Sequence, residues 1–372
     1  MERLRVVHII GGGELGGAER HILNLAGSLD RRRVALTVCC LFAAPFVQVA
    51  REAGIRALAV PMRHKLDFGV VTRIVELVRE ADLVHTHGVR ANLLGRIAAR
   101  LAKRPLVTTV HSLLRMDYPT VWTRLPNALA ERLTRGMTHR FIAVSRQLAE
   151  ELIREGVPPS RVSVIYNGID VDAFQPRRPR DEVRRELGYG AGIPLVATVA
   201  RLHPVKGHRY LLEAARRVIQ ARPEVRFLVV GGGPGRGALE AHAGWLGIAK
   251  EVKFTGFVVD VASLLGAVDL VVVPSLWEGF GLTAVEALNV GVPVVATAVG
   301  GLPEVVRPKE TGLLVPPADG EALAREILWA LSHPVEVRAM AERGRAMVRR
   351  EFTAQIMARR TTELYFEVVA GS

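Results

Sequence analysis

Short apolar runs alternate with amphipathic segments along most of this chain. The runs lie at Val6–Ile10, Ala35–Phe42, Leu83–Thr86, Leu106–Val110, Phe141–Val144 and Val162–Ile165, and then at Leu195–Ala200, Arg226–Val230, Leu270–Val273 and Val292–Thr297. Their unbroken Val, Ile and Leu character is typical of parallel strands buried on both faces. Between them, segments such as Glu19–Leu29 repeat apolar residues at helical spacing. The pattern predicts an α/β fold in which helices alternate with parallel strands.

The alternation runs twice, and a polar segment separates the two series. Residues 174–192 contain two prolines and the charged stretch Arg180–Leu187, which together predict a linker. A length of 372 residues exceeds one ordinary domain. We therefore expect two Rossmann-like, doubly wound domains at 1–175 and 176–350. A final helical segment at 351–372 has no strand after it.

Composition places the chain among globular proteins. Apolar residues make up 49%, which excludes disorder as the main state. No apolar run approaches the ~18 residues of a membrane span, and the run Val6–Ile10 stops too soon for a signal peptide. The two cysteines, Cys39 and Cys40, are adjacent and rarely bridge in such an arrangement. These features predict a cytoplasmic protein.

The formal net charge is +13, and it is uneven. Residues 1–175 carry 25 Lys and Arg against 16 Asp and Glu, whereas residues 176–372 carry 25 against 21. Positive charge favours nucleotides, anionic lipid head groups or nucleic acid as partners. Aromatic residues are only 5%, and no zinc-finger or RNA-binding signature is present, so nucleic acid is not expected.

A glycine-rich segment, Gly11-Gly12-Gly13-Glu14-Leu15-Gly16, follows the first strand. It fits the dinucleotide-binding pattern G-x-G-x-x-G, but the next strand ends in Cys39-Cys40-Leu41-Phe42 without the acid that holds a ribose. NAD or FAD binding is therefore disfavoured. Gly16 and Gly17 just before a helix can still let backbone N–H groups approach an anion. A tight turn without a ligand is the alternative.

Two cations, Arg201 and Lys206, follow the first strand of the second series. Open α/β sheets bind ligands at the carboxyl ends of their strands, and two fixed cations there suit a diphosphate. Two unrelated surface cations are the alternative. The run Gly231–Gly235 after another strand indicates either close approach by a ligand or a plain loop.

Two carboxylates, Glu278 and Glu286, lie eight residues apart around the start of a helix. Glu278 can reach hydroxyls of a bound sugar, and Glu286 can accept hydrogen bonds from a ribose. The amides of Phe280, Gly281 and Leu282 at the helix start can face an anion. The alternative is a helix-terminal acid beside an unrelated one.

The histidines and one acidic pair are ambiguous. His85 and His87 share a strand face, but a metal site needs more ligands than the sequence shows nearby. His111 ends a strand, which makes it either a site candidate or a packed histidine. Asp170-Val171-Asp172 spells the D-x-D of metal-dependent sugar transferases but lies in a turn before the linker. We predict no metal site.

Taken in order, these motifs resemble glycosyltransferase family 4, whose members are retaining enzymes of the GT-B fold. The resemblance covers nearly the whole chain. It rests on Gly16-Gly17-Ala18-Glu19, His111, Ala143-Val144-Ser145, Ile165-Tyr166-Asn167-Gly168-Ile169-Asp170, Arg201 with Lys206, Gly231-Gly232-Gly233-Pro234, and Glu278 with Glu286 as the family's E-x7-E motif.

The resemblance implies roles for these residues. Arg201 and Lys206 look like the ligands of the donor's diphosphate, Glu278 like the carboxylate on the donor sugar, and Glu286 like the ribose ligand. Gly16 and Gly17 resemble the loop near the donor phosphate, and His111 the histidine beside the reacting sugar. The two domains are expected to face each other across a cleft, with the final helix returning to the N-terminal domain. No metal or other cofactor is implied.

The expected activity is transfer of a hexose-type sugar from a nucleotide-diphosphate sugar to a saccharide or lipid-linked acceptor, with retention, in cell-envelope or surface-polysaccharide synthesis. The alternatives are a nucleotide-sugar epimerase of the same fold, a non-catalytic nucleotide-sugar-binding protein and, more remotely, an oxidoreductase. The basic excess on residues 1–175 predicts reversible contact with the anionic inner face of the membrane.

Overall fold

The computed structural model describes residues 3–13, 16–43, 45–63, 67, 69–117 and 120–371. The chain forms two compact units. The N-terminal unit comprises Met1–Asp170 and Thr353–Ser372, and the C-terminal unit comprises Val171–Phe352. The sequence placed the domain limits at 175/176 and 350/351. The chain passes from the N-terminal to the C-terminal unit at 170/171, earlier than predicted. The reason is that Asn289 Nδ2 donates to the carbonyls of Val171 (3.2 Å) and Phe174 (2.8 Å), which ties residues 171–174 to the C-terminal unit.

The N-terminal unit is built on a seven-stranded parallel sheet. Its strands are β1 (Leu4–Ile10), β2 (Val34–Cys40), β3 (Arg56–Ala59), β4 (Leu83–His87), β5 (Leu106–Val110), β6 (Arg140–Ala143) and β7 (Val162–Val164). Their order across the sheet is β3-β2-β1-β4-β5-β6-β7. The order reverses between β1 and β4, and such a switch point opens a crevice at the carboxyl ends of the two strands.

Helices cover both faces of this sheet. They are α1 (Gly17–Ser28), α2 (Pro45–Glu52), α3 (Gly69–Val78), α4 (Val89–Leu101), α5 (Leu114–Asp117), α6 (Val121–Thr134) and α7 (Arg146–Arg154). One apolar core joins α3 and α4 to the sheet, and a second core on the sheet contains Leu25 of α1.

The C-terminal unit repeats this architecture on a six-stranded parallel sheet. Its strands are β8 (Leu195–Val199), β9 (Arg226–Val230), β10 (Val252–Gly256), β11 (Leu270–Val273), β12 (Val294–Thr297) and β13 (Leu313–Val315). Its helices are α8 (Arg180–Leu187), α9 (His208–Ala221), α10 (Arg236–Trp245), α11 (Val261–Ala267), α12 (Leu282–Val290), α13 (Leu302–Val305), α14 (Gly320–Ser332) and α15 (Pro334–Glu351). The strand order is β10-β9-β8-β11-β12-β13, with its switch point between β8 and β11.

All ten predicted strands are present, with ends shifted by at most two residues. The additional strands β3, β10 and β13 lie at sheet edges. An edge strand is covered less completely than a central one, so its sequence lacks the long apolar run. In β10, for example, the sequence VKFTG has one fully buried residue, Val252.

The predicted linker contains an ordered helix. Residues Arg180–Leu187 form α8, which begins after Pro179 and ends at Gly188 in the left-handed conformation. Arg184 of α8 is 1% exposed, and its guanidinium donates to the carbonyls of Gly190 (2.9 Å) and Ala267 (2.9 Å). A polar sequence can therefore be part of a packed unit when its charged head is fully hydrogen-bonded.

The last helix, α16 (Ala354–Ala370), belongs to the N-terminal unit. Its start is fixed by the backbone, because Ala354 N–H donates to the Ile169 carbonyl at 2.8 Å. A side chain at Gly168 would lie 2.2 Å from the Thr353 carbonyl oxygen, so this junction requires glycine. Tyr365 of α16 is completely buried in the core that also contains Leu25. Within the described ranges, no helix combines the length and the apolar character needed to cross a bilayer.

Candidate functional site

In the C-terminal unit, the predicted ligand-binding residues gather at the switch point of the sheet. Arg201 and Lys206 follow β8, and Glu278 follows β11, the neighbouring strand on the other side of the switch. Glu286 lies in the second turn of α12, the helix that comes after Glu278. The carboxyl ends of two adjacent strands thus supply both the cations and the carboxylates.

The loop after β8 approaches the end of β11 closely. Gly207 adopts a φ of 67°, and a Cβ there would lie 1.9 Å from the carbonyl oxygen of Pro274. Leu276 N–H donates to the carbonyl of Val205 at 2.8 Å, which joins the two loops. This backbone contact brings Lys206 toward the loop that carries Glu278.

Lys206 and Glu278 form an ion pair. Lys206 Nζ lies 2.6 Å from Glu278 Oε2, and the two side chains are 20% and 18% exposed. The hydroxyl of Ser275 donates to the same carboxylate oxygen at 3.2 Å. The sequence placed these two residues at one ligand but did not predict their direct contact.

The backbone around Glu278 is held by close packing. Gly300 has a φ of 55°, and a Cβ there would lie 1.6 Å from the Glu278 carbonyl oxygen, which also accepts from Gly301 N–H at 3.0 Å. Gly281, with a φ of 103°, precedes the first residue of α12. The buried Phe280 ring packs edge-on against Phe352 at 5.2 Å. These constraints fix the loop that leads into the helix.

Glu286 and Arg201 differ sharply in exposure. Glu286 is 3% exposed within α12, whereas Arg201 is exposed. A carboxylate in so buried a position costs free energy unless polar groups meet it. The predicted contacts of Arg201 with diphosphate and of Glu286 with ribose remain predictions, as do those of the amides at Phe280, Gly281 and Leu282.

The glycine run after β9 has a structural explanation of its own. Gly231 has a φ of 134°, and a Cβ there would lie 2.0 Å from the Ala200 carbonyl oxygen. Leu202 N–H donates to the Gly232 carbonyl at 2.8 Å. This segment therefore packs against the loop that carries Arg201.

In the N-terminal unit, Gly16 and Gly17 stand at the start of α1. The Glu19 carboxylate accepts from Gly16 N–H at 3.0 Å, which stabilises the first turn. A Cβ at Gly17 would meet nothing within 4 Å, so local packing does not require glycine there. Glu14 and Leu15 of the predicted motif lie outside the described residues.

Five histidines come together at the switch point of the N-terminal sheet. His8 lies on β1, His85 and His87 on β4, His21 on α1 and His111 after β5. The rings of His85 and His87 are 4.2 Å apart, and His87 and His111 are 5.4 Å apart. The sequence analysis found no cysteine or carboxylate cluster beside His85 and His87 but did not predict that three other histidines lie next to them.

Burial keeps these imidazoles neutral. It lowers the pKa of His8 to about 3 and that of His21 to about 4. Burial, and after it the charges of neighbouring histidines, also hold the pKa values of His85, His87 and His111 well below 6.5. Removing a cation's water shell disfavours the protonated form of each ring.

The sequence missed His8, His21 and the buried Tyr365 as members of this group. A usable signal was present for His8, because a polar residue interrupts the apolar run of β1. His8 is in register with His85 on the adjacent strand. Nothing in the sequence places Tyr365 there, because the path of α16 depends on the whole fold.

Asp170 and Asp172 occupy the crossing between the units. The Asp172 side chain is 78% exposed and pairs with Arg349 at 3.3 Å. Among the described residues, the groups that could hold a metal ion contain histidines alone. The expected absence of a metal role for this pair stays a prediction.

Models of two protein families match the chain. The model described as Glycosyltransferase Family 4 matches residues 15–173, and the model described as Glycosyl transferases group 1 matches residues 179–347. The two matches meet near the crossing at 170/171.

The sequence is similar to curated enzymes over most of its length. D-inositol 3-phosphate glycosyltransferase of Mycobacteroides abscessus is 34% identical over 336 residues, which is 82% of this chain and 75% of that enzyme. The enzyme of the same name from a Mycobacterium species is 33% identical over 373 residues, covering 91% of this chain and 81% of its own.

Solved structures share the architecture. Anabaena HepE in complex with UDP-glucose superposes with a TM-score of 0.89 at 26% identity, covering 98% of this chain and all of that one. Sucrose-phosphate synthase from Thermosynechococcus elongatus superposes with a TM-score of 0.83 at 26% identity, with complete coverage of both chains. The predicted two-domain α/β fold of the GT-B type is confirmed.

Proposed function

Since this chain belongs to glycosyltransferase family 4 and is a glycosyltransferase, we propose that it moves a hexose-type sugar from a nucleotide-diphosphate sugar to a hydroxyl of an acceptor. We further propose that the configuration at the sugar carbon is retained. The observation that supports this most directly is the Lys206–Glu278 ion pair at the switch point of the C-terminal sheet, where Lys206 lies on the loop that also carries Arg201.

The proposed chemistry follows from these charges. The bond from the sugar carbon to the diphosphate oxygen breaks, and a bond from the acceptor oxygen to that carbon forms. Lys206 and Arg201 stabilise the negative charge that develops on the departing diphosphate. The acceptor's proton passes to a phosphate oxygen on the same face of the sugar. Glu278 holds hydroxyls of the donor sugar, and Glu286 the ribose. The loop at Gly16 and Gly17 approaches the donor phosphate, and His111 lies beside the reacting sugar.

The choice of donor has support from a relative. HepE, whose fold this chain shares at 26% identity, was crystallised with UDP-glucose. A UDP-hexose is therefore the first donor to test. A thermal-shift series with UDP-, GDP- and ADP-sugars should raise the melting temperature with the true donor, because binding to the folded state stabilises it by mass action.

The decisive assay counts products. One nucleoside diphosphate released for each acceptor glycosylated is expected, and the anomeric proton of the product should show the donor's configuration. Conversion of the donor without an acceptor would favour an epimerase, and binding without turnover a non-catalytic protein. D-inositol 3-phosphate belongs among the acceptors because similar enzymes carry it in their name. A lipid-linked saccharide should be tested beside it.

We place the acceptor in cell-envelope or surface-polysaccharide synthesis, handled by a cytoplasmic enzyme at the inner face of the membrane. Helix α6 supports this placement because its apolar side chains point outward. The exposed residues are Val121 (51%), Trp122 (88%), Leu125 (60%), Leu129 (58%) and Leu133 (70%). Its Glu131 instead faces the protein, paired with the fully buried Arg96 at 2.7 Å. A helix with an outward apolar stripe suits the interface of a bilayer.

Cations on the same unit add electrostatic attraction. The predicted basic set comprises Arg31, Arg32, Arg33, Arg63, Lys65, Arg100, Lys103 and Arg104, of which Lys65 lies outside the described residues. The described members of this set are all exposed except the half-buried Arg104. Each cation near an anionic leaflet contributes ~1 kcal/mol.

Co-sedimentation with vesicles tests this placement. We expect binding to vesicles with anionic lipid at low salt and release at high salt. Trp122→Ser with Leu125→Ser should weaken binding, whereas Trp245→Ser on the exposed face of α10 (77% exposed) should not. Equal binding to neutral and anionic vesicles would contradict the electrostatic part.

A further inference from the structure

A continuous chain of hydrogen bonds runs through the buried histidines of the N-terminal unit and ends at His111. The distances are 3.1 Å from His111 Nε2 to His87 Nδ1, 3.0 Å from His87 Nε2 to His8 Nδ1, 2.8 Å from His8 Nε2 to the Tyr365 hydroxyl, 2.6 Å from that hydroxyl to His85 Nδ1, and 2.7 Å from His85 Nε2 to Thr109 Oγ1. We call these six residues the histidine chain.

The number of hydrogens in this chain is fixed. The four rings are neutral because burial disfavours their cationic form, and burial also raises the pKa of Tyr365, so its hydroxyl keeps its hydrogen. Each neutral ring carries one N–H and one acceptor nitrogen. Four rings and two hydroxyls thus hold six hydrogens for five hydrogen bonds. One hydrogen is left over.

The position of the extra hydrogen depends on the direction of the chain. Both nitrogens of His8, His85 and His87 are engaged, so each ring must donate on one side and accept on the other. The Tyr365 hydroxyl can accept from both of its ring neighbours, in which case the extra hydrogen is on Tyr365 itself. Otherwise all five bonds point the same way. If they run toward Thr109, the extra hydrogen is on the Thr109 hydroxyl. If they run away from it, the extra hydrogen is on Nδ1 of His111.

The surroundings of the two ends favour the second direction. Thr109 is 1% exposed, and within the described part of the chain its hydroxyl bonds only with His85. An extra hydrogen there, or on the completely buried Tyr365 hydroxyl, would have no acceptor among the described residues, which is unfavourable. His111 is only half-buried, so a hydrogen on its Nδ1 can meet water or a ligand. Thr109 then donates, and every hydrogen inside the chain has an acceptor.

We propose that the histidine chain fixes His111 as the neutral tautomer with its hydrogen on Nδ1, and that Thr109 and Tyr365 are positioning residues for it. This rests on the proposed function, in which His111 stands beside the reacting sugar. His111 then donates a hydrogen bond to a sugar or acceptor oxygen and does not take the acceptor's proton. That proton goes to the departing phosphate instead.

A metal ion is the competing occupant of this cluster. The ligand atoms of His8, His85 and His87, and those of His21, His87 and His111, each lie within 4.8 Å of one another. An ion at either position would have to replace hydrogen bonds of 2.8–3.1 Å that already occupy these nitrogens. Nε2 of His21 is buried and, within the described ranges, has no hydrogen-bond partner. Apart from this atom and Nδ1 of His111, the ring nitrogens of both groups are hydrogen-bonded, which favours the hydrogen-bonded chain over a metal site.

The test measures the tautomer directly in the full-length protein. Histidine labelled with nitrogen-15 reports, through long-range proton–nitrogen spectra, which ring nitrogen carries the hydrogen. We expect the Nδ1–H form alone for His111 in the wild type. Thr109→Val keeps the shape but removes the terminal donor and should give a mixture of both forms. Thr109→Ser keeps the hydroxyl and should restore the single form.

A second variant, Tyr365→Phe, cuts the chain without touching His111. It should also give a tautomer mixture, and it keeps the proposal testable if Thr109→Val does not fold. In sugar transfer, Thr109→Val should lower kcat about 3- to 10-fold, the worth of one hydrogen bond, while KM for the donor stays unchanged. Thr109→Ser should be close to wild type.

Three results would overturn the proposal. They are an Nε2–H tautomer of His111 in the wild type, an unchanged tautomer in both Thr109→Val and Tyr365→Phe, and one equivalent of metal bound through these histidines in the purified protein. A shifted tautomer with unchanged kcat would overturn the catalytic part alone. Failure of the proposed function would show as absent sugar transfer and leave the nitrogen spectra as expected, so the two failures are distinguishable.

Discussion

The two units share one fold but place different polar groups at the switch point of the sheet, neutral in one unit and charged in the other. Each has a parallel sheet whose strand order reverses once, and each collects polar side chains at that point. In the N-terminal unit these are buried imidazoles that burial keeps neutral, such as His8 with a pKa lowered to about 3. In the C-terminal unit they are ions, with Lys206 and Glu278 paired at 2.6 Å and each about a fifth exposed.

Burial explains the difference. A completely covered group avoids the cost of a buried charge by staying neutral and sharing hydrogen bonds. A partly exposed pair keeps its charges and can exchange its partner for a ligand. A diphosphate needs fixed positive charge, so the C-terminal unit suits the leaving group. The N-terminal unit suits uncharged hydroxyls, which neutral donors and acceptors can bind.

The largest expected difference between the two units is the loss of stability at acid pH. The folded-state pKa values of five N-terminal histidines lie below the unfolded value of 6.5, with His8 at about 3 and His21 at about 4. The unfolded state therefore binds more protons below pH 6.5. The stability that these groups provide is complete above pH 6.5 and falls as the pH drops toward 4, by ~1 kcal/mol per histidine and pH unit.

Hydrogen exchange read by mass spectrometry can follow each unit separately. After correction for intrinsic rates, α1 and α16 should lose protection between pH 7 and pH 5. The C-terminal unit provides the internal control, because His208 is its one described histidine with a resolved shift, to about 4. Equal losses in both units would remove the basis of the comparison.

Removing a cation tests the ionic side. Arg201→Ala and Lys206→Ala should each lower kcat/KM by ~10-fold or more, because a charge-assisted phosphate contact contributes ~1.5–3 kcal/mol. Arg209→Ala is a matched control, since Arg209 is 72% exposed and pairs with Glu213 at 3.0 Å. We expect the control to keep wild-type kinetics. Unchanged kcat/KM in both site variants would contradict the diphosphate assignment.

Substitutions of the two carboxylates should affect the binding of different ligands. Glu278→Gln should reduce kcat ~10-fold or more while the bare nucleoside diphosphate still binds, because that ligand has no sugar for Glu278 to hold. Glu286→Gln should weaken both the bare nucleotide and the sugar donor, because both contain the ribose. Titration calorimetry with the nucleotide measures the contrast. Identical behaviour of the two variants would show that the division of roles is wrong.

The sequence predicted the layered fold because doubly buried strands carry a long apolar run, and it placed Arg201, Lys206 and Glu278 at strand ends because each of them follows such a run. It did not predict the Lys206–Glu278 contact, which depends on Gly207 packing against Pro274. The histidine chain was also missed, since Tyr365 lies 280 positions after its hydrogen-bond partner His85 on β4. Side chains that only tertiary packing brings together have no fixed spacing in the sequence from which their contact could be predicted.

The smallest expected effect is that of EDTA, which should leave the rate of sugar transfer unchanged. In the proposed mechanism, Arg201 and Lys206 would provide the positive charge that a divalent ion would otherwise supply to the diphosphate. The groups of histidines that could hold a metal lie, among the described residues, entirely in the N-terminal unit. Dialysis against EDTA followed by kinetics in metal-free buffer measures this, with a known metal-dependent transferase as the positive control for chelation. A loss of activity that Mg²⁺ or Mn²⁺ restores would put a metal at the diphosphate and reopen a ligand role for Asp170 and Asp172. A loss that Zn²⁺ alone restores would point to the histidines instead. The description of the N-terminal cluster as neutral, hydrogen-bonded imidazoles would then be wrong.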